Sequence, residues 1–125
     1  MDKQKILIAD DEPGVRLLVS RILEEEYIVL EAADGEEAID IAKGQQPALI
    51  LMDLMMPKMD GYAACHRIKD DQATKEIPVI ILTGIGHDLN KKFAEEMGAD
   101  EYITKPFTRE SLLKRMRQLL ISSQQ

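Results

Sequence analysis

Short runs that are apolar at nearly every position alternate along this chain with longer runs whose apolar residues recur at helical spacing. Ile6–Ala9, Ile28–Leu30, Ala48–Met52, Val79–Leu82 and the pair Tyr102-Ile103 have the first character and predict five strands. Positions 48–52 and 79–82 carry no polar residue at all, as expected of central parallel strands covered on both faces. The intervening runs predict helices. Val15, Leu18, Val19, Ile22 and Leu23 make one stripe at i, i+3, i+4, i+7 and i+8, with Pro13 in the first turn, where a missing N–H costs nothing. Asp34-Gly35-Glu36-Glu37 has the form of a capping box opening a second helix, and Gly44 stands where that helix is expected to stop. Asp60 caps a third through Arg67 and Ile68. Asp88 opens a fourth, with Leu89, Phe93 and Met97 inward and Gly98 at its end. Thr108 caps a fifth that buries Leu112, Met116, Leu119 and Leu120.

Five strand–helix units follow one another without a spare segment. They predict a single α/β domain over residues 1–125, structured from about 4 to 121, with 122–125 as a polar tail or the start of a linker. Alternation of this kind implies a doubly wound five-stranded parallel sheet with right-handed crossovers and helices on both faces. In a flavodoxin-like strand order, 2-1-3-4-5, ligand sites form outside the carboxyl ends of the strands.

Composition narrows the function classes. The chain has 125 residues, 45% of them hydrophobic and 31% charged, within the range of a soluble globular domain. Its formal charge of -7 argues against direct nucleic-acid binding, which needs a basic footprint. No stretch approaches the roughly 20 apolar residues that cross a bilayer, so membrane insertion is not expected. The single cysteine, Cys65, precludes an internal disulfide, and with no signal-like run at the start the cytoplasm is the expected compartment.

The strand ends carry the chemistry. Asp10-Asp11-Glu12 follows the first strand, Asp53 the third, Thr83 the fourth and Lys105-Pro106 the fifth. The predicted strand order brings these groups to one rim. Carboxylates gathered there repel one another unless a cation compensates, and oxygen donors open to water favour Mg²⁺. A carboxylate beside a metal and a lysine can attack a phosphoryl donor. Asp53 is the candidate nucleophile, Lys105 a point charge on the transferred group, and Thr83 a hydroxyl within reach of it.

Asp10-Asp11, Asp53-Leu54-Met55-Met56-Pro57, Met59-Asp60-Gly61, Thr83-Gly84 and Lys105-Pro106-Phe107 together resemble the receiver domain of response regulators in two-component signalling, over essentially the whole chain. The resemblance implies that Asp53 is the phosphoacceptor and that Asp11, Asp53 and the backbone carbonyl of Met55 bind Mg²⁺, with Asp10 acting mostly through water. It implies a cis Lys105–Pro106 peptide and a histidine kinase or phosphotransfer protein as donor. It also implies a switch in which Thr83 moves toward the phosphoryl group while Tyr102 turns inward. The signal would be read by a downstream protein target or output domain at the surface of helix four, strand five and helix five, where Leu89, Lys91, Lys92 and Arg109 are candidate contacts. A phosphorylation-dependent homodimer through that surface stays open, as does the choice between a stand-alone regulator and one module of a longer protein.

Other functions fit less well. A flavodoxin-like electron carrier would place a hydroxyl- and glycine-rich loop after strand one, where Asp10-Asp11-Glu12 would repel a flavin phosphate. An aspartate-nucleophile phosphatase would carry a second acid at the position of Met55, so only donor-driven self-phosphorylation and slow self-hydrolysis are expected. A receiver-like adaptor that never takes phosphate is the remaining alternative. His66 and His87 have no ligand-like spacing. Cys65 and Met52, Met55, Met56 and Met59 read as packing or loop residues. Met55 and Ile85 would flank an attacking water without orienting it. A phosphoryl group on Asp53 should therefore hydrolyse more slowly than in a Met55→Asn, Ile85→Glu variant. Equal or faster loss from the wild type, followed by intact mass, would contradict this.

Overall fold

The computed structural model describes residues 3–84 and 88–123, apart from the side chains of 88–91 and 123. In chain order the elements are β1 (Gln4–Ala9), α1 (Pro13–Leu23), β2 (Tyr27–Ala32), α2 (Gly35–Gln45), β3 (Leu49–Asp53), α3 (Gly61–Lys69), β4 (Val79–Thr83), α4 (Asp88–Glu96), β5 (Glu101–Thr104) and α5 (Arg109–Ser123). All strand pairs are parallel, and the sheet order is β2-β1-β3-β4-β5, as the pattern predicted.

β3 and β4 are buried at every position because each has a helical layer on both sides. The two-residue period of a strand divides the core in two. Leu7, Ile50, Met52, Val79 and Ile81 face Ala38, Ala42, Ala64 and Ile68 of α2 and α3. Ile6, Ile8, Leu49, Leu51, Ile80 and Leu82 face Val19 and Leu23 of α1 and Leu112, Met116 and Leu120 of α5. Each fully buried Leu or Ile is worth about 1.5–3 kcal/mol relative to exposure. A one-residue register shift would exchange the two faces, so this packing fixes which residue stands at each strand end.

The helix starts follow the sequence closely. Asp34 accepts the N–H of Glu37 at 2.9 Å, and the Glu37 carboxylate reaches back to the N–H of Ala33 at 2.9 Å. Asp60 accepts the N–H of Ala63 at 2.8 Å. At α5, Thr108 and Ser111 cap reciprocally, side chain to backbone, at 3.0 and 3.1 Å.

Four local expectations are corrected. α2 does not stop at Gly44; its left-handed terminal position is Gln46, at φ 49°. The Gln46 side-chain amide donates to the carbonyls of Lys43 and Ala73, offsetting a left-handed cost of about 1–2 kcal/mol. Leu18 is 55% exposed, because the packed stripe of α1 is the narrower set Val15, Val19, Ile22 and Leu23 and Leu18 lies off its edge. Phe93 is 42% exposed; Ala94 takes the inward position of α4, and the Phe93 ring packs edge-on against Tyr62, centroids 4.4 Å apart. α5 continues to Ser123 rather than ending at 121, with no glycine or proline to break it.

Two glycines bring loops against the site. A Cβ at Gly61 would collide with the carbonyl of Asp53, and one at Gly35 would lie 2.5 Å from the carbonyl of Met59. α2 and α3 can therefore approach the β3–α3 loop more closely than any residue with a side chain would allow. Among the described residues, no helix is long and apolar enough to cross a membrane.

Candidate functional site

The parallel sheet delivers four polar side chains to its carboxyl-terminal rim. Asp10 follows β1 and is fully buried, Asp53 ends β3 at 5% exposure, Thr83 ends β4 at 1%, and Lys105 follows β5. Lys105 Nζ donates to Asp53 Oδ1 at 2.9 Å and to Asp10 Oδ2 at 3.2 Å, bridging the two buried acids. Its own N–H donates to the Thr83 carbonyl at 2.6 Å, and the Lys105–Pro106 peptide is cis, as the resemblance implied.

The acids on the other side of this bridge are close together. Carboxylate oxygens of Asp10, Asp11 and Glu12 lie within 4.8 Å of one another, with Asp11 and Glu12 exposed. The Asp10 carboxylate also accepts the N–H of Glu12 at 2.9 Å, which curls the turn so that successive acids face one side. Asp53 lies outside this group of three and is linked to it by Lys105. Glu12 thus joins the acidic rim, although the sequence reading gave it no ligand role.

Electrostatics show what the arrangement lacks. Burial raises the Asp53 carboxyl above the usual aspartate range. The charges of Asp10 and Asp11 push it further up, and the Lys105 hydrogen bond only partly opposes them. For Lys105, burial pulls downward, but bonding to Asp53 and the charges of Asp53 and Asp10 outweigh it and hold the ammonium above its ordinary value. The two directions are consistent: Lys105 faces only acids, whereas Asp53 faces acids as well as Lys105. One lysine does not neutralise the rim. The donors are all hard oxygens, partly open to water, and fit a small divalent cation such as Mg²⁺.

Tyr102, on β5, is half-buried, and its side chain is hydrogen-bonded to that of Thr83. Burial raises its phenol, and the Thr83 bond works in the opposite direction. The two residues paired by the resemblance are therefore in contact, with Tyr102 already turned toward Thr83. Met55, two residues beyond Asp53 in the β3–α3 loop, has a side chain 66% exposed. Ile85 and His87 lie outside the described residues, as do the side chains of Leu89 and Lys91. Lys92, Arg109 and His66 are exposed. Burial pushes the Cys65 thiol up to about 12, which makes it inert.

Sequence reasoning passed over Arg16. Its guanidinium donates to the Asp10 carbonyl at 2.7 Å and to Glu31 on β2 at 3.1 Å. A signal was available: a cation near a helix N-terminus opposes the helix dipole and so asks for a reason.

The model of the response regulator receiver domain matches residues 6–117. Over 117 residues the chain is 45% identical to the DNA-binding dual master transcriptional regulator RpaA of Synechocystis, spanning 93% of this chain and 48% of that protein. It is 38% identical over 119 residues to histidine kinase P4 of Formosa agariphila, covering 95% of this chain and 9% of the kinase. The chain spans about half the length of the curated transcriptional regulators it matches. Among solved structures, a CheY-like receiver domain protein from Methanospirillum hungatei superposes with a TM-score of 0.91 at 28% identity, covering 98% of each chain. The receiver domain of a sensor histidine kinase from Pseudomonas aeruginosa, with magnesium coordinated in its active-site cleft, has a TM-score of 0.89 at 29% identity, covering 95% of this chain and 98% of that one.

The raised Asp53 carboxyl has a stability consequence. A folded-state pKa above the unfolded value favours the fold in acid, and that contribution is lost as pH rises through the folded pKa. Asp53→Asn should therefore melt above the wild type at neutral pH in metal-free buffer, with the gap closing in acid as Asp53 takes up its proton. Thermal melts across pH test this; a variant no more stable at pH 7 than at pH 3, relative to wild type, would contradict it.

Proposed function

The chain belongs to the response regulator receiver domain family, and from that premise we propose that Asp53 is its phosphoacceptor and that Mg²⁺ is its cofactor. Phosphorylation-switched signalling is the function of the family. What supports the specific assignment is the single lysine bridging two buried carboxylates at the sheet's carboxyl rim.

The transfer follows from these positions. A carboxylate oxygen of Asp53 attacks phosphorus; the bond from phosphorus to the donor breaks, and its electron pair leaves with the donor, which takes a proton from solvent. Lys105 exchanges part of its bond to Asp53 for one to a phosphoryl oxygen, so its charge stays paired throughout. Asp11, Asp53 and the Met55 carbonyl would hold Mg²⁺, with Asp10 acting through water. The ion, when bound, offsets the acids' repulsion and the charge on the transferred group. Thr83, buried at the end of β4, offers its hydroxyl to the remaining side of the phosphoryl group.

The Thr83 hydroxyl has one proton to give, so donating it to the phosphoryl group leaves Tyr102 able to bond Thr83 only as a donor to its oxygen. Competition for this hydroxyl is the element that phosphorylation biases, and Tyr102 passes the change to the face formed by α4, β5 and α5. Lys92 and Arg109 are exposed on that face. The donor is a histidine kinase or phosphotransfer protein, and the receiver of the signal is a protein target or an output domain. The domain itself does not bind nucleic acid, acts in the cytoplasm, and forms any phosphorylation-dependent dimer through the same face. It is a signalling domain whose chemistry is limited to accepting and slowly losing one phosphoryl group.

Intact-protein mass after incubation with acetyl phosphate, with and without Mg²⁺, tests the assignment, with Asp53→Asn alongside. One added phosphoryl group that requires both Mg²⁺ and Asp53 is expected. A folded wild type that takes none, or an Asp53→Asn protein that takes as much, would contradict it and favour an adaptor that works without phosphate.

A further inference from the structure

We infer that Arg16 is a positioning residue for the cation site, fixing the direction in which Asp11 is presented; this rests on the magnesium reading above. Arg16 lies in the first turns of α1 with its side chain 19% exposed. Its Nη1 donates to the Asp10 carbonyl at 2.7 Å and its Nε to Glu31 Oε1 at 3.1 Å, so one rigid fork ties the β1–α1 turn to β2.

The geometry makes the carbonyl a lever. The Asp10 oxygen belongs to the peptide group joining Asp10 to Asp11, and that group is planar. Holding the oxygen sets the orientation of the whole plane, and with it the direction in which the chain enters Asp11. The rest of Asp10 is fixed independently. Its N–H donates to the Ala32 carbonyl at 3.0 Å, one carboxylate oxygen accepts from Glu12 and the other from Lys105. Asp11 is exposed, and its direction is inherited from that plane.

Electrostatics alone would place no cation here. Arg16 opposes the dipole of α1 and would repel a divalent ion held by Asp10, Asp11 and Glu12. Glu31 is paired with it and removes much of that penalty while leaving the hydrogen bond to Asp10 intact. The positioning role and the bare charge therefore have opposite consequences. If Arg16 aims the turn, removing it weakens magnesium binding. If its charge is what matters, removing it strengthens binding.

Titration calorimetry of Mg²⁺ into the intact chain separates these, comparing wild type with Arg16→Met, Arg16→Lys, Glu31→Gln and Asp11→Asn, each checked for folding by circular dichroism. Arg16→Met and Arg16→Lys are expected to raise the magnesium Kd by about tenfold or more, the range for residues that orient metal ligands. Glu31→Gln keeps an acceptor for Arg16 but unmasks its charge, so it should weaken binding less than either Arg16 variant. Arg16→Lys keeps the test available if Arg16→Met does not fold. Unchanged or tighter binding in the folded Arg16 variants would overturn the inference while leaving the magnesium site standing. A wild type that binds no magnesium, or an Asp11→Asn protein that binds it undiminished, would overturn the magnesium reading and this inference with it.

Discussion

One ammonium group holds the functional rim together. Lys105 is within hydrogen-bond distance of two carboxylates that the fold buries almost completely, and burying a carboxylate is costly unless it is paired with a charge of this sign. The sheet is built so that this contact can form. β1, β3, β4 and β5 are neighbours, and their carboxyl ends bring Asp10, Asp53, Thr83 and Lys105 to one rim: Asp53 is in register with Leu82, one residue before Thr83, and Thr83 with Thr104, one residue before Lys105. Two apolar half-cores lock those registers, so the packing of Ile50, Met52, Ile80 and Leu82 decides where the charges meet.

The same contact leaves the site short of positive charge. Asp53 is raised despite Lys105, because burial and the nearby acids outweigh one partial neutraliser. This tension suits the site to a cation, and in the proposed function a transferred phosphoryl group becomes a new claimant on Lys105 and Thr83. In the proposed function, the bond between Thr83 and Tyr102 is the link from that local charge event to the surface formed by α4, β5 and α5.

Much of this was legible in the order of residues alone. Strands that are apolar throughout can only be central, and five alternating units leave little choice of topology, so the strand order and the convergence of Asp10, Asp53, Thr83 and Lys105 followed. What escaped was local and depended on side-chain reach. Gln46 terminates α2 because its amide finds two carbonyls, which no spacing rule encodes. Leu18 matched the helical period yet lies off the packed stripe, since periodicity gives the apolar arc but not how much of it a neighbour covers. Arg16 contacts a backbone carbonyl six positions earlier in the chain and a carboxylate on another strand, partners that exist only after folding.

The most direct test of the central interaction is a double-mutant cycle in metal-free buffer, measuring unfolding free energies of wild type, Lys105→Met, Asp53→Asn and the double variant. If Lys105 is what makes the buried Asp53 charge tolerable, removing it should cost much more in the wild-type background than in the Asp53→Asn background, with a coupling energy above about 1 kcal/mol. Equal costs in the two backgrounds would show that the bridge does not hold the rim together.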